Sequence, residues 1–163
     1  MTRPALAARG TLPKDSRELA GQLAVFSQTL LELKAWDEAE PLIREALTIR
    51  EAKEPDDWRT FNTRSMLGGA LLGQKKFTEA EPLLLDGYRG MKQREATIPP
   101  QGKVRIPEAL ERLAQLYKSI DKPDEAAKWQ AELDARHAVN DATANDNKAA
   151  STTEHADDSG NHL

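Results

Sequence analysis

Three histidines, a glycine-rich run ending in lysine and several paired carboxylates are the side chains that could carry chemistry in this 163-residue chain. His137, His155 and His162 would be the general bases or metal ligands. All three fall at or beyond the edge of the apolar pattern, where nothing holds them against a nucleophile or a shared ion. Neither a hydrolase nor a metal site is expected. Gly68-Gly69-Ala70-Leu71-Leu72-Gly73-Gln74-Lys75 comes close to a phosphate-binding loop, but its lysine is one residue late and no Ser or Thr follows. The surrounding pattern is helical, with no strand before it. The pairs Glu38/Glu40 and Asp56/Asp57 stand where helices are expected to begin, and carboxylates there face the positive end of the helix dipole. The absence of cysteine removes disulfides and thiolate metal sites. The chain is read as not an enzyme, with no cofactor.

The charge has a location. Net charge is −4, and residues 138–163 account for it, with Asp141, Asp146, Glu154, Asp157 and Asp158 against Lys148. The preceding body is neutral, so no basic face points to nucleic acid. No apolar run approaches the ~18 residues of a membrane span. The first residues lack the apolar block of a signal peptide, and a cytoplasmic location is expected.

With little chemistry to position, the elements themselves become the message. Residues 35–47 (Ala-Trp-Asp-Glu-Ala-Glu-Pro-Leu-Ile-Arg-Glu-Ala-Leu) recur at 76–88, so that Trp36, Ala39 and Pro41 correspond to Phe77, Ala80 and Pro82 at an offset of 41. A fainter copy at Lys122-Pro-Asp-Glu-Ala-Ala-Lys-Trp places Ala126 46 residues after Ala80. A fixed period of this size means stacked supersecondary units rather than one closed globule.

Each unit reads as two helices. Leu19, Leu23, Phe26, Leu30 and Leu33 make one helical stripe, capped by Asp15 or Ser16. Asp37 with Glu40, and Thr78 with Glu81, have the spacing of capping boxes. Gly68, Gly69 and Gly73 are costly inside a helix and imply close approach of a neighbour. Ile98-Pro-Pro-Gln-Gly-Lys103 supplies the longer spacing before the third unit, whose first helix Pro107 is placed to lead. In the sixth helix Ala126, Trp129 and Leu133 form one narrow apolar stripe ringed by charge, as the last element of a stack needs. The expected organisation is a poorly ordered lead-in at 1–14, a repeat domain at 15–137 and a disordered acidic tail at 138–163. Within the domain the units run over about 16–54, 57–97 and 105–137. The tail is too polar to offset the entropy of ordering.

On these residues the chain resembles the tetratricopeptide repeat family. Leu67-Gly68 and Leu113-Ala114 carry its large-then-small pair, Tyr117 its aromatic, and Ala39, Ala80 and Ala126 its small residue early in the second helix. The long period and the Glu-Ala-Glu-Pro-Leu block look like the kinesin-light-chain type, found also in large bacterial repeat proteins and at the C-terminal end of some kinases. The resemblance implies an all-α solenoid of three helix pairs in a right-handed superhelix. Trp36, Ala39, Leu67, Gly68, Phe77, Ala80, Tyr117, Ala126 and Trp129 would pack the repeats together.

By helical phase, Gln28 and Leu31, then Asn62, Ser65, Gly69 and Leu72, then Glu108, Arg112 and Gln115 should line a concave groove. The function expected is a non-catalytic interaction module taking a peptide or partner helix there. The alternative is a structural or regulatory appendage of a larger repeat or kinase protein, with no ligand of its own. The first helix looks apolar on too many sides, Val25 and Leu31 widening its stripe. Self-association is therefore expected at the N-terminal helix pair.

Overall fold

A computed structural model describes residues 10–153, with side chains through residue 139. From Arg17 onward the described residues form six α-helices in order: α1 (Arg17–Glu32), α2 (Trp36–Lys53), α3 (Trp58–Gly73), α4 (Phe77–Gln93), α5 (Arg105–Ser119) and α6 (Pro123–Thr153). No strand occurs among the described residues. Helices α1 and α2, α3 and α4, and α5 and α6 pack as antiparallel pairs. The pairs stack in sequence, and α3 also touches both α1 and α5, so the first helices form their own layer.

One turn is used three times. Lys34, Lys75 and Asp121 have φ of 59°, 62° and 58°, in the left-handed region. Each ends a first helix in the paired hydrogen bonds of a Schellman motif. Ala35 N–H donates to Leu30 O at 2.8 Å, Lys76 to Leu71 at 2.9 Å and Lys122 to Tyr117 at 2.9 Å. The same three residues start the next helix, since their carbonyls accept from Ala39, Ala80 and Ala126 N–H at 3.0 Å each. Three linking residues therefore fix the hairpin angle, and the alanines are driven into the crevice between helices, 0%, 0% and 3% exposed.

That turn displaces the expected capping boxes. Helices α2 and α4 begin at Trp36 and Phe77, and neither has a side-chain cap. Glu40 is instead drawn across to the next repeat, accepting from Gln74 Nε2 at 2.7 Å, and Glu81 accepts from Tyr117 Oη at 2.8 Å. Side-chain caps do operate where no tight turn precedes the helix. Ser16 Oγ accepts from Leu19 N–H, and Asp57 Oδ1 accepts from Arg59 N–H. Helix α5 starts at Arg105, two residues before Pro107, which sits in the first turn where its missing N–H has no partner to lose. The link before it folds as two 3₁₀ turns, Glu95–Thr97 and Pro100–Gly102, anchored by buried Ile98.

The core runs continuously through the pairs, from Leu19 and Leu23 through Ile43, Leu71, Leu84 and Met91 to Leu113 and Leu116. All three flagged glycines are crowded. A Cβ at Gly68 would fall 2.7 Å from Leu84 Cγ, at Gly69 2.9 Å from Arg112 Nε and at Gly73 2.3 Å from Trp36 Cδ2.

Two expectations about the ends change. Leu31 is 7% exposed, so it belongs to the core and adds nothing to an apolar outer face; Val25 (67%) and Leu33 (71%) are what stands exposed there. Helix α6 does not stop at 137 but continues to Thr153. The stretch is rich in alanine and contains neither Pro nor Gly, so nothing in it breaks a helix already begun. Residues 1–9 of the lead-in and 154–163 of the tail lie outside the described residues. Within the described part of the lead-in, Leu12 packs against the core.

Candidate functional site

The layer of first helices places repeat-equivalent residues side by side. Gln28, Gly69 and Gln115 occupy one position of the three repeats, at offsets of 41 and 46. Leu31 and Leu72 occupy another, and Glu32, Gly73 and Ser119 a third. All of these line an open cleft of about 810 Å³. Lys34 and Lys75 from the tight turns line it too, with Trp36 and Phe77 from the starts of α2 and α4. Helix α3, bare at Gly69 and Gly73, lies between α1 and α5.

The small residues of α3 have side chains laid over them. The indole of Trp36 fills the space beside Gly73, and Arg112 reaches back from α5 to lie against Gly69. Arg112 Nη1 donates to Ser65 Oγ at 3.1 Å, and its Nη2 lies 3.7 Å from Glu108 Oε2. Glu108 also receives Arg105 at 2.8 and 2.9 Å, so one carboxylate serves two guanidiniums. The Arg112 side chain is only 15% exposed. Burial pushes its pKa below the ordinary arginine value, opposed by the nearby Glu108 carboxylate.

The cleft's ions balance, Lys34, Lys75 and Arg112 facing Glu32, Glu108 and Glu111. Its amides do not. Gln28 Nε2 donates to Glu32 Oε1 at 3.1 Å, while Gln28 Oε1 is buried with no hydrogen-bond partner among the described residues. Glu32 can only accept, which fixes the sense of the Gln28 amide.

Of the residues expected in the groove, Gln28, Leu31, Gly69, Leu72, Glu108, Arg112 and Gln115 line this cleft. Asn62 and Ser65 do not. They lie nearer the start of α3, 8% and 0% exposed. Helix α4 closes over Ser65, a Cβ at Gly87 falling 2.7 Å from its backbone nitrogen. Ser65 thus supports Arg112 from beneath. Asn62 spends its Nδ2 on Met66 Sδ at 3.6 Å.

The packing residues Ala39, Leu67, Ala80, Tyr117, Ala126 and Trp129 are all buried. Trp36 and Phe77 are half-buried and serve twice, packing against the core and lining the cleft. Sequence reasoning missed that second role and the lining by Lys34 and Lys75. The signal was available, since both Lys-x-aromatic triplets recur at the repeat offset of 41.

A second cleft, of about 910 Å³, lies between the 95–104 link and α6, with half-exposed Val104 in its wall. The double ion pair of Arg136 with Glu95, at 2.7 and 2.8 Å, occupies it. Among the described residues no three His, Asp or Glu side chains converge as a metal site requires, and no helix is long and apolar enough to cross a membrane.

Residues 19–57, covering α1, α2 and the turn into α3, match the family model described as tetratricopeptide repeat. No curated protein matches the chain.

Proposed function

We propose that this chain, a tetratricopeptide repeat protein, is a non-catalytic interaction module that takes a segment of a partner protein in the cleft between α1, α3 and α5. Repeats of this family serve in general to bring proteins together. The 41-residue spacing and the Glu-Ala-Glu-Pro-Leu block support the kinesin-light-chain type, and a cytoplasmic protein partner fits that type. The observation that carries the reading is the coincidence of equivalent residues. The same positions of all three repeats, Gln28, Gly69 and Gln115, meet in one open cleft. Apolar Leu31, Leu72, Trp36 and Phe77 beside the amides give the mixture of apolar wall and a few placed polar groups that ligand clefts show.

Selection of random 12-residue peptides displayed on phage tests the reading, using wild type against Leu72→Arg. Leu72 is half-buried in the cleft wall, so the arginine fills the cleft without entering the core. Peptides enriched on wild type and lost on Leu72→Arg are the expected result. Enrichment that is equal on both proteins, or absent from both, would remove the groove as the binding surface.

A further inference from the structure

We infer that the protein pairs with a second copy of itself through α1, the two helices crossing antiparallel about a two-fold axis with Leu33 of each copy seated over Gly21 of the other. The pairing does not depend on what the groove binds. From Leu19 to Leu31 the helix carries no charged residue, although part of that stretch faces outward. On the outward side Gly21, Val25, Thr29 and Leu33 follow one another at spacings of four, which makes them a single ridge of the helix. Val25 is 67% and Leu33 71% exposed, and Thr29 is exposed between them. Gly21 is a hollow on the same ridge, since a Cβ added there would meet nothing within 4 Å. An exposed Leu alone needs no explanation. A projecting Leu and a matching hollow on one uncharged ridge are the two halves of a self-complementary contact.

Ridges built on spacings of four interdigitate when helices cross at about −50°, and a two-fold axis lets one surface serve both copies. With the axis between Val25 and Thr29, each Val25 lies against Thr29 of the other copy and each Leu33 reaches the hollow at Gly21. The polar residues fit the same register. Gln22 stands opposite Glu32 of the other copy, a donor facing an acceptor, and Glu18 comes within reach of Lys34. The register that centres Val25 on Val25 would set Glu18 against Glu32, and like charges disfavour it. One helix crossing buries less than the roughly 1,200 Å² of a standard interface, so the pair should form at high micromolar concentration. Glu32 also lines the groove. The grooves of both copies thus open beside the contact, and the pair presents two of them to a partner.

Gly21→Leu separates this packing from a surface that is merely sticky. It adds apolar area to an exposed helix and replaces an interior glycine, so the monomer should melt higher and a non-specific contact should strengthen. Filling the hollow that receives Leu33 should instead weaken pairing about 10-fold or more. Sedimentation equilibrium of the full chain across roughly 10–500 µM reads the dissociation constant. Glu18→Lys and Lys34→Glu should each weaken pairing about 3-fold, and combining them should restore it. Wild type that stays monomeric throughout, or Gly21→Leu that pairs as well as wild type or better, would overturn the inference. So would charge swaps whose effects simply add, since Glu18 and Lys34 would then not meet. Assemblies larger than a dimer would also overturn it, because a two-fold contact closes on itself.

Discussion

The indole of Trp36 occupies the space that a side chain at residue 73 would need. A Cβ built on Gly73 falls 2.3 Å from Trp36 Cδ2 and 2.4 Å from Cε2. The first repeat is thereby locked onto the second at the end of α3, and the indole edge is left in the cleft wall.

Gly73→Val should therefore lower stability by about 1–3 kcal/mol, because a rigid ring cannot yield as a flexible side chain could. The companion Trp36→Ala removes the clash while losing its own packing. In a double-mutant cycle by thermal melting, the pair should cost clearly less than the sum of the singles. Simple additivity would show that the two residues are not in contact.

The left-handed turns give a prediction of opposite sign. Lys34 and Lys75 hold φ near 60°, a conformation that a residue with a Cβ adopts at a cost of about 1–2 kcal/mol and glycine adopts freely. Lys34→Gly and Lys75→Gly should each raise stability by about 1 kcal/mol, against the usual direction of Gly substitutions. A fall in melting temperature would mean that the turn is built differently.

That turn also marks where the sequence stopped being legible. The offset linking Trp36 with Phe77 and Ala39 with Ala80 was enough to assign helix pairs, burial of the alanines and most cleft residues. It did not reveal the helix starts, because left-handed lysines lack the Gly or Asn that usually announces such a turn. The Asp37/Glu40 and Thr78/Glu81 spacings then looked like caps. Helical phase put Asn62 and Ser65 in the groove but could not show that α4 closes over Ser65 at Gly87. Arg50 was missed altogether. It is 6% exposed and donates from Nη1 to Arg59 O and Thr63 Oγ1 at 2.8 and 2.7 Å, although the equivalent residue of the next repeat is the core residue Met91.

Acid should loosen α6 before it loosens the other helices. Two hydrogen bonds from Arg136 hold the Glu95 carboxyl below its ordinary value of 4.5. At Glu132 burial pushes the pKa up, but hydrogen bonds from Lys92 and Tyr88 outweigh it, and the net shift is also downward. Carboxyls depressed in the folded state contribute stability above the unfolded pKa and lose it as pH falls through the folded one. The α6 contacts should thus weaken as pH drops below about 4.5. Trp129 packs edge-on against Tyr88, with ring centroids 5.4 Å apart, and its fluorescence reports the loss in a Trp36→Phe/Trp58→Phe background. Glu95→Gln/Glu132→Gln should flatten that acid transition; an unchanged midpoint would mean other groups govern it.

Self-association, if it resides at the N-terminal end, must use Val25 and Leu33 rather than the buried Leu31. Sedimentation should show wild type heavier than a monomer at high concentration and Val25→Lys/Leu33→Glu lighter. Identical behaviour of the two proteins would place any association elsewhere.

Partners are proposed to enter the cleft between the first helices. Amide chemical-shift mapping of the ¹⁵N-labelled protein with the selected 12-residue peptide tests it most directly. Shifts should cluster on Gln28, Gly69, Leu72 and Gln115, together with the side-chain amides of the two glutamines. Shifts confined to the outward faces of α2 and α4, around exposed Arg44, Thr48 and Arg89, would contradict it.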